Sequence, residues 1–202
     1  MLILASSSPR RRLLLDMLRI EFEVRPSNIP EIRQPGETPV GYTERLAREK
    51  AQCVAGSLVL GADTTVVLED HVFEKPADAE DALRMLRRLQ GRTHQVITSV
   101  ALVAAGVVRQ ATDITAVTFR PCDDDFLRAY IATGEPMDKA GAYGIQGYGA
   151  ALVERIDGDF FGVMGLPVRL VLRLLEEAGH PFRFAATPSR STPGRPGPDS
   201  LR

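Results

Sequence analysis

Short apolar runs alternate with helical patterns along this chain, and this alternation limits the possible folds more than any other feature of the sequence. Apolar runs bounded by turn residues are typical of buried strands, whereas apolar residues recurring every three or four positions are typical of helices. We expect helices at residues 9–18, 40–55, 77–89, 123–132 and 166–178. We expect strands at 2–5 and 22–25, a hairpin of 95–104 with 107–119, and a hairpin of 152–156 with 160–163 over Asp157-Gly158. Because parallel-type strands and hairpins occur together, the predicted fold class is α/β with a mixed sheet.

The size and composition are those of an ordinary globular domain. The 202 residues are 44% hydrophobic and 25% charged, and a chain of this length buries roughly 70% of the surface that its unfolded form exposes. We expect one domain over residues 1–186. Residues 187–202 are rich in proline and glycine and contain almost no apolar side chain, so we expect a disordered tail there.

Several classes of protein are disfavoured by composition. Cys53 and Cys122 cannot form a disulfide framework and have no neighbours at zinc-binding spacing. The arginines at 10–12 follow the first apolar residues, which is the wrong order for a secretory signal, and no apolar run has the roughly 20 residues of a membrane span. The formal net charge of −1 argues against nucleic-acid binding. We therefore expect a cytoplasmic protein with neither a membrane nor a stable nucleic-acid partner.

The segment from Ser6 to Arg12 combines three serines, a proline and three arginines. Ser8 followed by Pro9 is a strong signal for a helix start. Cations are unfavourable at that end of a helix, because the free N–H groups there already carry partial positive charge. A phosphate bound at the helix start would turn the N–H groups, hydroxyls and guanidinium groups into donors. The alternative is a solvated basic turn.

Asp63 lies between two apolar triplets, residues 58–60 and 66–68. Aspartate is depleted inside strands, and a buried carboxylate needs partners. A carboxylate at a strand end beside Gly61 could hold Mg²⁺ or accept a proton from water. The alternative is a turn between two strands, capped by Asp63.

Five glycines lie in the segment from Gly134 to Gly149, mixed with Asp, Lys, Tyr and Gln. Such a density favours a backbone that passes close to a ligand, and the side-chain amide of Gln146 could contact a nucleotide base. The motif is not a P-loop, because GxxxxGK[ST] does not occur in the chain. A connecting loop is the alternative.

Isolated charged residues could complete a phosphate or metal site. Lys50 and Lys75 could contact a triphosphate, and Glu31 could be a second acidic metal ligand. The alternative for each residue, considered alone, is an ordinary charged side chain on the surface. The three histidines, His71, His94 and His180, have no partners at catalytic spacing, so we expect structural roles for them.

Five segments in a fixed order resemble one known family. They are Leu4-Ala5-Ser6-Ser7-Ser8-Pro9-Arg10-Arg11, Gly61-Ala62-Asp63-Thr64, Glu74-Lys75-Pro76, Gly91-Arg92-Thr93-His94 and residues 138–147. Together they resemble the Maf family of nucleoside triphosphate pyrophosphatases. The resemblance covers residues 1–178 and implies hydrolysis between the α and β phosphates with a divalent cation, Mg²⁺ or Mn²⁺. It also implies a mixed twisted sheet with two α/β lobes around a central cleft, similar to the inosine triphosphatase fold, and a possible homodimer.

The resemblance implies a role for each candidate residue. Asp63 matches the proton acceptor of the family and, with Glu31, the metal site. The positions associated with substrate choice are Arg10, Thr64 and Gln146. The positions associated with phosphate binding are Ser6, Ser8, Arg11, Lys50 and Lys75. With Thr64 and Gln146, the sequence resembles the branch of the family that acts on dTTP and UTP. The side-chain amide of Gln146 offers a pyrimidine base both a donor and an acceptor.

Other functions use the same residues. The chain could be a nucleotide-binding regulator of cell division or septum formation, with binding but no turnover. It could also be an enzyme of the same chemistry that removes non-standard nucleotides such as 7-methyl-GTP. A nucleic-acid-binding protein is a third class, but the 12 aromatic side chains, Phe and Tyr only, offer little surface for stacking bases.

Overall fold

The computed structural model describes residues 1–184, and the tail expected at 187–202 lies outside them. The described strands are β1 (Leu2–Leu4), β2 (Phe22–Val24), β3 (Leu58–Leu68), β4 (His71–Phe73), β5 (Thr93–Ala104), β6 (Val107–Phe119) and β7 (Val153–Asp157). The described α-helices are α1 (Pro9–Met17), α2 (Pro39–Gln52), α3 (Ala79–Leu89), α4 (Asp124–Ala132), α5 (Phe160–Met164) and α6 (Val168–Glu177). Short 3-10 helices at Glu135–Asp138, Ala140–Ala142 and Tyr148–Leu152 connect α4 to β7.

The strands form one mixed sheet in the order β2-β1-β3-β5-β6-β7, and β4 pairs with the end of β3. β1 is parallel to both β2 and β3. The pairs β3–β5, β5–β6 and β6–β7 are antiparallel. The α/β class with a mixed sheet is therefore confirmed, and the hairpin predicted at 95–104 and 107–119 is β5 with β6.

Side-chain caps explain where the first two long helices begin. Ser8 caps α1, where its Oγ accepts from the Arg11 amide, and Pro9 occupies the first turn. Thr38 caps α2 in the same way, accepting from the Gly41 amide at 3.1 Å. Such a cap pairs one of the N–H groups that a helix start leaves free. The helix start predicted at Ser8-Pro9 is confirmed.

Helix α2 packs very close to β3 at Gly61. A Cβ atom on Gly61 would lie 2.3 Å from the Ala47 carbonyl oxygen and 2.5 Å from the Ala51 amide nitrogen. Only glycine allows the backbones of the helix and the strand to approach this closely. The contact brings Lys50, near the end of α2, against the middle of β3.

Two expectations from the sequence are wrong. Residues 160–163 do not form a strand, because Asp159 accepts from the amides of Phe161 and Gly162 and begins α5 there. The strand before them, β7, pairs with β6 instead. Asp63 was expected at a strand end, with a turn as the alternative, but it lies in the middle of β3, which continues through it and pairs with β5 from Leu58 to Val67. Strand β4 was not predicted.

The core surrounds the central strands. Leu4, Leu60 and Phe119 are essentially inaccessible to solvent, and β3 is buried along almost its whole length. A polar side chain on such a strand must find partners, because burying it unpaired costs free energy. Among the helices of residues 1–184, none is both long and apolar enough to cross a membrane.

Candidate functional site

A cleft opens beside a gap in the sheet along one edge of β3. β5 pairs with one edge of β3, so β1 and β4 share the other edge, β1 as far as Leu60 and β4 from Val66 onwards. On the edge that β1 and β4 share, residues 61–65 of β3 have no strand partner within residues 1–184. The cleft has a volume of about 470 Å³, which is within the range of small-molecule sites.

All ten residues predicted to act on a ligand line this cleft. They are Ser6, Ser8, Arg10, Arg11, Glu31, Lys50, Asp63, Thr64, Lys75 and Gln146. They come from the β1–α1 connection, the first turn of α1, the loop before α2, α2 itself, β3, the segment after β4 and the glycine-rich segment. The structure thus brings together residues up to 140 positions apart, and their individual roles stay predictions.

The charge of the cleft favours an anion. Five cationic side chains line it, against three carboxylates. The start of α1 also faces it, through Ser7, Ser8 and Pro9. Backbone N–H groups at a helix start and an excess of cations are together the ordinary composition of a phosphate site.

Asp63 is the buried carboxylate at the centre of the cleft. Its Oδ1 lies 2.7 Å from Lys50 Nζ, which lies 2.5 Å from Glu31 Oε1. Asp63 and Lys50 are each 5% exposed. Lys50, predicted to contact phosphate, therefore joins two carboxylates here.

The environment changes how the two carboxyl groups titrate. Burial raises the pKa of Asp63 above its ordinary value, although Lys50 and Arg11 act in the opposite direction. Burial alone would raise the pKa of Glu31 too, but the hydrogen bond and charge of Lys50 lower it overall. Asp63 is thus the better proton acceptor of the two, because a carboxylate with a raised pKa binds a proton more readily.

Arg11 is fixed by three hydrogen bonds to neutral groups. Its Nε donates to the Gly165 carbonyl oxygen at 2.8 Å, Nη1 donates to Ser6 Oγ at 3.0 Å, and Nη2 donates to Thr64 Oγ1 at 3.2 Å. Burial lowers the pKa of Arg11, and the nearby Asp63 acts against this. A guanidinium group has five N–H donors, so two remain for a ligand in the cleft.

The remaining predicted residues lie around the opening. Arg10 Nη1 lies 3.6 Å from Asp138 Oδ2, and Gln146 is exposed to solvent on the glycine-rich segment. Thr64 Oγ1 lies 3.0 Å from Thr98 Oγ1, which donates to the Gly162 carbonyl oxygen at 2.8 Å. Lys75 is exposed and also lines the cleft.

Sequence reasoning missed four contributors to the site. Asp138 and Lys139 line the cleft and form an ion pair at 2.5 Å, and Tyr143 lines it too. All three stand in the glycine-rich segment already singled out, so the signal was present. The carbonyl oxygen of Gly165 left no signal, because a backbone acceptor has no residue type of its own.

Two carboxylates in the cleft are suited to a divalent cation. Asp63 and Glu31 converge on one point, because both contact Lys50 Nζ. Within residues 1–184, no group of three or more His, Cys, Asp or Glu side chains could hold a metal ion unaided. Mg²⁺ is commonly held by one or two carboxylates together with phosphate oxygens and water. The residues present therefore fit a cation that is shared with a phosphate-bearing ligand.

One solved structure resembles part of the fold. It is described as the structure of a HAM1 protein from Coxiella burnetii, and it aligns with a TM-score of 0.41 at 19% identity, over 58% of this chain and 72% of that chain.

Curated relatives are far more similar in sequence. Proteins named dTTP/UTP pyrophosphatase are 50% identical to this chain in Koribacter versatilis (strain Ellin345), covering 88% of this chain and 94% of the relative, and in Anaeromyxobacter sp. (strain Fw109-5), covering 92% and 93%. One from Escherichia coli O6:K15:H31 (strain 536 / UPEC) is 50% identical over 86% of this chain and 91% of its own length. The family model described as Maf-like protein matches residues 1–178. The chain belongs to the Maf family.

Proposed function

We propose that this protein hydrolyses dTTP and UTP to the nucleoside monophosphate and pyrophosphate. The observation that carries the proposal is the buried Asp63 carboxylate in a cleft with an excess of cations and the Gln146 amide at its opening. The name dTTP/UTP pyrophosphatase, which relatives of 50% identity bear, supports the choice of reaction and substrates.

The chain's own cations hold the triphosphate in this proposal. Arg10, Lys75 and the two free N–H groups of Arg11 bind phosphate oxygens, together with the amides at the start of α1. Ser6 and Ser8 keep this end of α1 in place, since Ser6 Oγ accepts from the Ser8 amide at 3.2 Å and from Arg11. Lys50 keeps Asp63 and Glu31 close together.

Asp63 acts on the attacking water. It accepts a proton while the water oxygen forms a bond to the α-phosphorus. The bond from that phosphorus to the oxygen shared with the β-phosphate breaks, and pyrophosphate leaves with the electron pair. Asp63 and Glu31 would hold Mg²⁺ or Mn²⁺, which would supply positive charge to offset the negative charge on the leaving group.

Selection of the base is assigned to Gln146, with Thr64 and Arg10. The Gln146 amide offers one acceptor and two donors, which suits the O4 and N3–H edge of thymine or uracil. Thr64 lies between Arg11 and Thr98 in the same cleft.

The first test is pyrophosphate release from dTTP, UTP, CTP, GTP, ATP, ITP and 7-methyl-GTP with Mg²⁺ or Mn²⁺. We expect release from dTTP and UTP, and a fall in kcat of about 100-fold or more in Asp63→Asn, because a general base contributes 10²–10⁴-fold. Asp16→Asn is the matched control, since Asp16 is exposed on α1 outside the cleft, and it should keep wild-type kcat.

Three other outcomes would contradict this proposal. Near-normal turnover by Asp63→Asn would remove Asp63 from the mechanism. Preferential hydrolysis of 7-methyl-GTP or ITP would favour the alternative function, an enzyme that removes non-standard nucleotides. Nucleotide binding without release would favour the regulator of cell division.

We also propose where the protein is located and how it assembles. Cys53 and Cys122 are both free thiols, which suits a reducing compartment, and we place the activity in the cytoplasm. The resemblance to the family favours a homodimer without nucleic acid, which light scattering of the purified protein tests.

A further inference from the structure

Glu135 lies outside the cleft but contacts the segment that carries Gln146. Its Oε2 accepts from the Tyr148 amide at 2.7 Å, and its Oε1 accepts from the Gly149 amide at 2.9 Å. Burial alone would raise the pKa of Glu135, but these two backbone hydrogen bonds and others lower it overall. An ionised carboxylate with several N–H donors makes stronger hydrogen bonds than a neutral acceptor.

Tyr130 on α4 extends this contact to the other end of the segment. Its hydroxyl donates to Glu135 Oε1 at 2.9 Å and accepts from the Gly144 amide at 3.1 Å. Tyr130 itself is 5% exposed, so the ring has a fixed position in the core. The Glu135–Tyr130 pair thus holds the backbone on both sides of Gln146.

The glycines of the segment allow this close approach. A Cβ atom on Gly147 would lie 2.0 Å from Glu135 Oε2, and one on Gly149 would lie 2.8 Å from the Tyr130 hydroxyl oxygen. Two glycines that looked like ligand contacts in the sequence therefore face the Glu135–Tyr130 pair. Gln146 is exposed and lines the cleft, whereas the two residues that hold its backbone do not line the cleft.

We propose that Glu135, with Tyr130, is a positioning residue that fixes Gln146 and thereby sets which base the enzyme selects. The inference rests on the proposed function, because it assigns base selection to Gln146. Neither residue lines the cleft, so neither touches the triphosphate.

The test uses Glu135→Gln, which keeps the shape of the side chain. One of its two oxygens becomes an amino group, which cannot accept from the Tyr148 or Gly149 amide. We expect kcat/KM for dTTP relative to CTP and GTP to fall about tenfold or more, since a misplaced polar group loses the discrimination it provides. The change should lie in KM, with kcat for dTTP within about threefold of wild type.

Two further variants separate positioning from general damage. Tyr130→Phe should shift selectivity in the same direction by a smaller factor, and the double variant should be less than additive because both residues hold one segment. Glu154→Gln is the matched control, since Glu154 is exposed on β7, and it should keep wild-type selectivity.

Two measurements that do not require turnover complete the test. Hydrogen exchange at the amides of residues 144–149 should accelerate about tenfold or more in Glu135→Gln, with α1 unchanged. The Kd of the α,β-methylene analogue of GTP divided by that of the dTTP analogue should fall in parallel. A wild type that binds these analogues selectively but hydrolyses nothing overturns the proposed function alone. Unchanged exchange, or faster exchange with unchanged selectivity, overturns the role of Glu135.

Discussion

At the scale of single residues, the sequence predicts which side chains belong to the cleft better than it predicts their hydrogen-bond partners. A charged residue inside an apolar run, such as Asp63, is visible because burial requires a partner, and the structure supplies Lys50 at 2.7 Å. The contact of Arg11 with the Gly165 carbonyl oxygen joins residues 154 positions apart, and no local pattern encodes such a pair. The sequence could thus name the residues of the cleft but not the hydrogen bonds between them.

His94 is a buried titratable residue that the proposed chemistry does not use. Its Nε2 lies 2.9 Å from the Tyr143 hydroxyl oxygen, and burial lowers the pKa of His94 to about 4. The structural role expected for it from the sequence is consistent with its 2% exposure.

We predict that protonation of His94 destabilises the fold in weak acid. The pKa is near 6.5 in the unfolded chain and lower in the folded one, so the unfolded state binds the proton first and stability is lost as pH falls from 6.5 towards 4. The free energy of unfolding should drop by about 2 kcal/mol from this group between pH 7 and pH 5. Urea unfolding across this range measures it.

The control for this pH dependence is a second histidine. In His94→Phe the slope of stability against pH should flatten, whereas His180→Gln, at an exposed position, should keep it. A wild-type slope in His94→Phe would exclude His94 as the cause.

At the scale of secondary structure, the spacing of apolar residues predicts the long helices and strands correctly but gives the wrong structure for the short segment 160–163. The long hairpin β5–β6 and helices α1 to α4 stand close to where the sequence pattern indicated. Helix α5 has five residues, and a short apolar run such as 160–163 fits a strand or a helix equally well. The Asp159 cap decides between them, and its hydrogen bonds depend on tertiary structure, since the Asp159 amide donates to Thr115 Oγ1 on β6.

The contact between α2 and β3 gives a second prediction. Gly61→Ala should lower the free energy of unfolding by about 1–3 kcal/mol, because its Cβ would overlap backbone atoms of α2. The same displacement moves Lys50 relative to Asp63, so kcat should fall as well. Chemical denaturation and steady-state kinetics measure the two effects.

A glycine elsewhere in α2 provides the comparison. In Gly41→Ala the nearest atom to the new Cβ would be Thr38 Oγ1 at 3.1 Å, and stability should stay within about 1 kcal/mol of wild type. Equal effects of the two substitutions would argue against close packing at Gly61.

For the whole molecule, the mixed sheet was predictable as a class, whereas the gap between β1 and β4 was not. That gap depends on β4, a strand of three residues, pairing with the same edge of β3 as β1. The shape of the cleft therefore depends on the pairing of two short strands, β1 and β4, with β3.

A ligand in this cleft should stabilise the entire fold. With α,β-methylene dTTP at about 100 times its Kd, the free energy of unfolding should rise by about 2.7 kcal/mol and Tm by several degrees. Differential scanning calorimetry with Mg²⁺ measures this, and inorganic phosphate at the same concentration should give a smaller rise. No change in Tm at saturation would mean that the nucleotide does not bind the native cleft.

The hydrogen bond from Arg11 to Gly165 also sets how much of the chain must be present before the cleft is complete. The arginine leaves the ribosome early, but its acceptor on the loop after α5 emerges about 150 residues later. A nascent or prematurely terminated chain can carry the serines, the lysines and Asp63 and still lack the group that orients this guanidinium. The guanidinium group of Arg11 can therefore take its place in the cleft only in a chain that extends past Gly165.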